Sequence, residues 1–309
     1  MKKIKSLLKN DKFKVQLQLQ SMVLPAIIFL VIFSYIPMVG IFMSFVDYNP
    51  IDGFFGSEFV GFKYFKELFT DFSFPMIMKN TLGMNVMGLF ISFPATIMFA
   101  LLLNEIQTVW FKKTIQTISY LPHFVSWVIF GGIIMQMLSA GDDGIVNNLL
   151  LQLGFISRPI NFMAEPSLYW GIIITAQLIK GIGWGSIIYI AAIAGINGEL
   201  YEAAEIDGAG RWGKMWHVTL PGIVGTIVIM LIFDISGILN SSNDIALVMQ
   251  NNLNYTASET IDMYVYHVGI SNYRFSYATA IGLLKSVVGL ILLLTANYTS
   301  KKLTDKGLF

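Results

Sequence analysis

Long runs of apolar residues alternate with short polar segments along most of the chain. A helix needs about 20 mostly apolar residues to cross the hydrocarbon core of a membrane. The segments that meet this requirement are 22–45, 81–103, 121–138, 168–193, 221–239 and 278–297. They predict an all-α fold, a polytopic transmembrane helical bundle of six spans. The predicted domains are an N-terminal segment at 1–21, a six-span transmembrane domain at 22–298 and a C-terminal tail at 299–309.

Lysine and arginine are distributed unevenly between the two sides of these spans. Basic residues near span ends accumulate on the cytoplasmic side of membrane proteins. The side that holds both termini carries Lys2, Lys3, Lys5, Lys9, Lys12, Lys14, Lys112, Lys113, Arg211, Lys214, Lys301, Lys302 and Lys306. The opposite side carries Lys63, Lys66, Lys79, Arg158 and Arg274. This imbalance predicts a multi-pass protein of the cell (cytoplasmic) membrane with both termini in the cytoplasm.

Composition narrows the class of protein further. Of the 309 residues, 55% are hydrophobic and 13% are charged, so the chain is more apolar and less charged than soluble domains. The apolar spans predict membrane lipid as a partner. The formal net charge of +1 and the lack of an arginine-rich run predict no nucleic acid partner. The chain contains no cysteine, and His123 and His217 lack neighbouring ligands at useful spacing. We therefore expect no metal site.

The loop between the fourth and fifth predicted spans carries the most specific pattern. It covers residues 199–221 and reads ELYEAAEIDGAGRWGKMWHVTLP. Helix-forming residues at 200–206 predict a short helix, and Gly208 suits the turn that ends it because glycine tolerates positive φ. A second short helix at about 210–217 follows. Pro221 is expected to begin the fifth span, where a missing backbone donor is harmless. The result is a helix-turn-helix elbow.

This loop resembles the cytoplasmic signature of the integral permeases of binding-protein-dependent ABC importers, in which Glu-Ala-Ala is followed by a Gly and later by Leu-Pro. The matching residues are Glu202, Ala203, Ala204, Asp207, Gly208, Ala209, Leu220 and Pro221. A looser likeness covers most of the chain, and the stretch from Gly181 to Tyr201 resembles the branch that serves complex oligosaccharides. The resemblance implies the fold of a type I ABC importer permease.

The resemblance also implies a role for the elbow and a set of partners. In that family the elbow is the coupling helix, which docks on the ATPase and passes nucleotide-driven closure to the spans. The matched residues would then couple transport to ATP hydrolysis from a cytoplasmic loop at 194–220. The chain itself would not be an enzyme and would hold no cofactor, because ATP and Mg belong to the partner ATPase. The implied partners are a second permease subunit, an ATPase subunit dimer, an extracellular solute-binding lipoprotein and an oligosaccharide substrate.

Part of the same loop imitates a phosphate-binding loop. The glycine and lysine spacing from Gly208 to Lys214 fits such a loop, which also needs a Ser or Thr after the Lys to hold magnesium. Met215 occupies that position, and no buried strand pattern precedes Gly208. We therefore expect no ATP binding by this chain.

Ionisable residues occur inside the predicted spans, at Lys180, Asp234 and Lys285. Each costs about 2.5 to 3.5 kcal/mol on insertion scales unless it finds a partner or a cavity. Two interpretations of Asp234 stay open: it pairs with one of the two lysines, or it lines a substrate pathway.

A neutral sugar is bound by flat aromatic faces together with amide or carboxylate groups. Groups of this kind occur in the fourth and fifth spans. The predicted substrate pathway consists of Gln177, Trp184, Ser186, Tyr189, Asp234 and Asn240. Aromatic residues in membrane spans also serve in helix packing, so that alternative stays open for Trp184 and Tyr189.

The predicted function is therefore that of a transmembrane permease subunit of an ATP-driven oligosaccharide importer, forming half of the translocation pathway. The alternatives are a permease of an ABC importer for another small solute, or a secondary transporter. Secondary transporters usually contain internal repeats, and none is evident in this sequence. An intramembrane enzyme would need a clustered nucleophile, acid pair or metal set, and no such set is recognisable at a suitable spacing.

Overall fold

The protein is built almost entirely of helices, which a computed structural model describes over residues 11–241, 243–304 and 307–308. The predicted terminal segments at 1–21 and 299–309 lie partly outside these residues. The chain divides into two compact units. One consists of the residues up to Glu67 together with Val268–Leu283, and the other of Leu68–His267 together with the residues from Leu284 onward.

The first unit begins with a long apolar helix. Helix α1 (Asp11–Leu30) continues through a π-helical turn at Val31–Tyr35 into a 3-10 helix at Ile36–Phe45. Strands β1 (Val46–Asp47) and β2 (Glu58–Phe59) then pair antiparallel, with helix α2 (Gly53–Gly56) between them. Helix α3 (Lys63–Thr70) begins in this unit and ends in the other.

The second unit holds most of the helices. In chain order they are α4 (Phe74–Glu105), α5 (Val109–Phe124), α6 (Trp127–Met137), α7 (Ile145–Gln152), α8 (Pro166–Ala194), α9 (Gly198–Ile206), α10 (Arg211–Lys214), α11 (Leu220–Gly222), α12 (Val224–Ser236), α13 (Asn243–Met249), α14 (Tyr255–Ser258), α15 (Ile261–Tyr266) and the later part of α16 (Phe275–Thr304). A 3-10 turn at Phe162–Ala164 precedes α8, and π-helical turns occur at Met215–Thr219 and His267–Ser271.

Several of these helices are long and apolar enough to cross a membrane. Within the described residues, four are unbroken: Gln18–Phe45, Phe74–Glu105, Pro166–Ala194 and Phe275–Lys302. Two more spans arise if each of two bent helix pairs is counted as one: Val109–Phe124 with Trp127–Met137, bent by 102°, and Arg211–Gly222 with Val224–Ser236, bent by 60°. Counted in this way, the described residues contain up to six candidate spans, which is the number predicted from the apolar runs.

The third predicted span, at 121–138, is not one continuous helix. The apolar run crosses a bend between α5 and α6, where Val125 and Ser126 have extended backbone. The Ser126 side chain accepts a hydrogen bond from the Ile129 backbone N–H at 3.3 Å and so caps α6. A serine in this position satisfies a backbone donor that the start of a helix leaves free, which explains why a new helix begins there.

The fifth predicted span also differs at its start. The helical run begins at Arg211, passes through Pro221 and breaks at Ile223, so Pro221 lies near the end of this run. Proline has no N–H to donate inside a helix. The π-helical turn at Met215–Thr219 directly precedes α11 and loosens the hydrogen-bond ladder where that donor is missing.

Small residues let α8 pack closely against its neighbours. A Cβ on Gly83 would lie 2.3 Å from the ring of Trp170, and one on Gly183 would lie 2.2 Å from the carbonyl oxygen of Ser119. Only glycine fits at such distances, and close approach through small residues is a common mode of helix association in membranes. Helices α4 and α5 therefore both lie directly against α8, and they position the polar groups described next.

Candidate functional site

A cavity of about 300 Å³ lies among α4, α8 and the end of α12. This volume is at the lower end of the range for small-molecule sites. Its polar lining consists of Asn85, Ser92, Thr96, Gln177, Asp234 and Asn240. The remaining lining is apolar or glycine, including Phe93. The cavity thus combines amides, hydroxyls, one carboxylate and one aromatic ring.

Asn85 organises one wall of this cavity. Its side-chain N–H groups donate to the backbone carbonyls of Ile238 at 2.7 Å and Asn240 at 3.2 Å. These two bonds tie α4 to the turn that ends α12. They hold Asn240 at the cavity without using its side chain, so the Asn240 amide stays available there.

The pairing of Asp234 with a lysine, one of the two interpretations drawn from the sequence, is wrong. Lys285 forms an ion pair with Asp262 instead. Lys180 donates to three backbone carbonyls at the end of α5, those of Pro122 at 2.9 Å, His123 at 2.8 Å and Val125 at 2.5 Å. The Pro122 carbonyl also accepts from the Val125 N–H at 3.3 Å, and helix ends leave carbonyls in need of donors because no further turn follows. The three carbonyls satisfy the lysine in place of a carboxylate. Asp234 lines the cavity instead.

The residues predicted to line a substrate pathway fall into two groups. Gln177, Asp234 and Asn240 lie together on the cavity. Ser186 is fully buried and donates to the Gly183 carbonyl at 2.6 Å, and Tyr189 is buried among apolar side chains. They lie away from the cavity because their side chains turn towards the packed interior of the bundle.

Trp184 also lies outside the cavity lining. Its ring stacks on that of His123, with centroids 4.3 Å apart and an interplanar angle of 2°. The side chain is still 47% exposed, so one part of the indole packs within the chain and another part is open to a neighbour.

Sequence reasoning missed the contribution of α4 to the cavity. Asn85, Ser92 and Thr96 are spaced by seven and four residues, which places them on one face of a helix. That polar stripe within an otherwise apolar span is the signal that could have identified them.

The elbow, residues 198–222, has the predicted helix-turn-helix form. The Asn197 side chain accepts a hydrogen bond from Glu199 N–H at 3.1 Å and caps α9. Gly208 ends that helix with φ of 81°. Ala209 N–H donates to the Ala204 carbonyl at 2.8 Å. This is the Schellman arrangement, in which glycine is the favoured residue, and the predicted turn at Gly208 is confirmed.

The residues of the elbow that match the permease signature differ in exposure. Those that are exposed are Glu202, Ala203, Asp207, Gly208 and Pro221, whereas Ala204, Ala209 and Leu220 are partly buried. Ile206 on the same helix is 87% exposed. The tip of the elbow therefore presents an acidic, small-residue and apolar surface with space for a partner to approach.

The base of the elbow is anchored in the bundle. Met215 and Ile223 are buried with Ala100 and Tyr189, and Leu220 packs against the same cluster. Met215, which occupies the hydroxyl position of the imitated phosphate loop, is thus a core residue. This packing joins the elbow to the ends of α4 and α8, so a force on the elbow reaches the helices that line the cavity.

Two polar contacts link the parts of the elbow to each other. Tyr201 and Thr219 hydroxyl groups lie 3.0 Å apart, and Lys214 pairs with Glu205 at 2.7 Å. The hydrogen bond from Lys214 lowers the pKa of the Glu205 carboxyl. Among the described residues, no group of three or more histidine or acidic side chains could hold a metal ion.

The sequence matches known transport proteins over nearly its whole length. The model of the family described as "Binding-protein-dependent transport system inner membrane component" matches residues 92–305. Protein LplB of Bacillus subtilis (strain 168) is 41% identical over 302 residues, covering 98% of this chain and 92% of LplB. The polygalacturonan/rhamnogalacturonan transport system permease protein YteP of the same strain is 42% identical over 294 residues, covering 95% of this chain and 91% of YteP.

A solved structure matches as well. It is that of a bacterial ABC transporter involved in the import of the acidic polysaccharide alginate. One of its chains has a TM-score of 0.85 and 36% sequence identity, over 95% of this chain and 98% of that chain. The predicted all-α permease fold and the resemblance drawn from the elbow are both confirmed. This chain therefore belongs to the family of inner membrane components of binding-protein-dependent transport systems.

Proposed function

We propose that this chain is the permease subunit of an ATP-driven oligosaccharide importer and forms half of its translocation pathway. The observation that carries the proposal is the cavity among α4, α8 and α12, with its amides, hydroxyls and carboxylate. Such groups suit a hydroxyl-rich ligand, which needs many hydrogen-bond partners and one flat surface. The similar proteins support the same class of cargo, since YteP is named for polygalacturonan and rhamnogalacturonan and the solved transporter for alginate.

A second permease subunit would supply the other half of the pathway. Asp234 and Asn240 are exposed in the single chain, and Asp234 lies on a helix of a candidate membrane span. Polar groups facing hydrocarbon are costly. A partner permease that covers this face would enclose the cavity and remove that cost.

The elbow would couple the permease to an ATPase subunit dimer in the cytoplasm. We place both termini and the loop at 194–220 on that side, from the distribution of lysine and arginine. The exposed Glu202, Ala203 and Gly208 form the docking tip, and Leu220 passes movement to the buried cluster. ATP and Mg would be bound by the ATPase, so hydrolysis belongs to that subunit and this chain acts as a permease.

An extracellular solute-binding lipoprotein would deliver the oligosaccharide. The family is binding-protein-dependent by its description. One similar structure is a bacterial alginate ABC transporter in complex with an alginate pentasaccharide-bound periplasmic protein, with a TM-score of 0.86 and 36% identity to this chain.

Reconstitution tests the proposed function. The tagged chain is purified with the permease and ATPase that accompany it, placed in proteoliposomes and supplied with the binding protein and a panel of labelled oligosaccharides. Uptake should require internal ATP and persist when ion gradients are collapsed. Uptake that follows a proton or sodium gradient without ATP would indicate a secondary transporter and would overturn the proposal.

The elbow is tested by charge reversal at its tip. Glu202→Lys should abolish most of the ATPase stimulation that liganded binding protein produces, because like charges at a packed interface cost several kcal/mol. Glu199→Lys, at an exposed position on the same helix but outside the matched signature, is the matched control and should leave stimulation unchanged. Stimulation and uptake that stay normal in Glu202→Lys would show that the elbow is only a connector.

A further inference from the structure

The cavity has one ionisable group, and that group is an acid. Among the described residues that line it, Asp234 alone carries a titratable side chain, and the rest are amides, hydroxyls, apolar residues or glycine. Within the described part of the chain, no hydrogen bond or ion pair engages the Asp234 carboxylate, which is exposed. It is therefore available to whatever occupies the cavity.

The nearest candidates for a neutralising cation are committed elsewhere. Lys180 is buried and holds three backbone carbonyls. Lys285 is paired with Asp262. Neither lysine lines the cavity, so this chain offers negative charge to the pathway without a compensating positive charge.

We propose that Asp234 makes this importer selective for oligosaccharides that carry no acidic groups. The inference rests on the proposed function and names the substrate class of the same cavity. Sugar hydroxyls donate hydrogen bonds, and a carboxylate accepts them more strongly than a neutral group does. A uronate residue would bring a second carboxylate, which repels the first.

The setting strengthens this repulsion. Charges interact more strongly where protein and lipid replace water. At an effective dielectric constant of about 20, repulsion between two like charges a few ångströms apart weakens binding more than tenfold relative to an uncharged pair. The side-chain amides of Gln177 and Asn240 can both donate hydrogen bonds to sugar hydroxyls and accept hydrogen bonds from them. The side of the cavity that this chain supplies thus favours neutral sugars and disfavours acidic ones.

This substrate class differs from those named for similar proteins. The solved transporter imports alginate, which is described as acidic, and YteP is named for polygalacturonan and rhamnogalacturonan. A shared permease fold fixes how the helices enclose a pathway, whereas the charge along the pathway depends on single side chains.

The experiment compares matched substrates in the complete reconstituted transporter. The probes are a galacturonate trisaccharide and its methyl ester, which differ only in charge, beside a panel of neutral hexose and pentose oligosaccharides. The permease variants are wild type, Asp234→Asn, Asp234→Glu and, as a matched control outside the cavity, Asp244→Asn. Because every assay uses the same binding protein, its own preference cancels when variants are compared.

Relative to wild type, Asp234→Asn should lower the ratio of ester uptake to uronate uptake by about tenfold, while Asp234→Glu and Asp244→Asn should keep the wild-type ratio. An unchanged ratio in Asp234→Asn would overturn the inference and leave the proposed function intact. Absence of ATP-dependent uptake of every oligosaccharide would overturn both. If Asp234→Asn does not assemble, Asp234→Ser, which also removes the charge, replaces it: a ratio about tenfold lower than wild type supports the inference and an unchanged ratio overturns it.

Discussion

The bends of the two bent helix pairs are stabilised by different kinds of interaction. Between α5 and α6 the chain turns by 102°, and the bend is held by a charge. Lys180 reaches from α8 to three carbonyls, and its ammonium also lies 5.1 Å from the centre of the Trp127 ring. A cation beside the carbonyl end of a helix is favoured by the helix dipole and by hydrogen bonding.

Between α11 and α12 the chain turns by 60°, and the bend is held by packing. Ile223 at the break is 1% exposed and lies in an apolar cluster with Met215. A Cβ on Gly222 would come within 2.7 Å of the Ile196 side chain, so the backbone itself packs closely there.

The two bends are stabilised differently because they leave different backbone groups without hydrogen-bond partners. The wider bend ends α5 outright and leaves several carbonyls needing donors inside the bundle, where water is excluded. The narrower bend comes directly after a helical turn. Pro221 has no backbone N–H to donate, and the π-helical turn at Met215–Thr219 lies just before it, where the hydrogen-bond pattern is already altered. Fixed charge holds the first bend in one geometry, whereas apolar contacts hold the second with less directional constraint.

Removal of the charge at the first bend should have the largest effect. Lys180→Met keeps much of the side-chain volume but removes the ammonium group that donates to three carbonyls. The expected loss of stability is about 3 kcal/mol, since buried acceptors left without partners cost about 1 to 3 kcal/mol each and are not additive. Melting of the purified permease complex in detergent measures it.

Two variants control this measurement. Lys113→Met, at an exposed position on α5, should leave the melting temperature unchanged. Lys180→Arg keeps a cation and should restore part of the loss. Melting of Lys180→Met at the wild-type temperature would mean that the carbonyls find other donors and that the two bends do not differ as described.

A conservative change at the second bend should have an intermediate effect. Ile223→Val removes one buried methylene and should cost about 1 kcal/mol, which is typical for this substitution in packed interiors. The same substitution at the exposed Ile187 should cost close to nothing. A loss at Ile223 as large as that at Lys180 would show that shape at the second bend is as tightly specified as charge at the first.

The smallest effect is expected within the elbow, where one exposed ion pair lies beside the packed bend. The pKa of Glu205 is lowered below its ordinary value of 4.5 by Lys214, so the contact stabilises the folded state above that pH and is lost as the pH falls through the lowered pKa. Glu205→Gln should therefore lower the melting temperature slightly at neutral pH and not at all in acid, and high salt should abolish the difference. A difference that persists at low pH would assign the effect to something other than this charge.

These comparisons also show what the sequence was able to predict. The elbow was predicted closely because its signal is local: Gly208 ends α9 through backbone groups within a few residues. The cap at Asn197 is equally local but was not predicted. The 102° bend was not predicted, because the apolar run at 121–138 continues across it. Its stabilising donor, Lys180, lies 55 residues away from Val125 in sequence.

Only some of the residues that line the cavity were predicted from the sequence. Polar residues in apolar spans are conspicuous, so Gln177, Asp234 and Asn240 were identified from the sequence, and the structure brings them together. The sequence could not separate Ser186 and Tyr189 from that group, because only the rotation of α8 within the bundle decides which of its faces is packed. The structure places both in the packed interior, and their role in transport stays a prediction.

The contact between Gly183 and the carbonyl oxygen of Ser119 limits how the helices can slide. A shift of α8 along α5 by one turn, about 5.4 Å, would bring Ile179 or Ile187 to the place where even a single added carbon would lie 2.2 Å from that oxygen. These two helices therefore behave as one mechanical body with a fixed register. Any rocking that opens the pathway from one side to the other must then move α5 and α8 together.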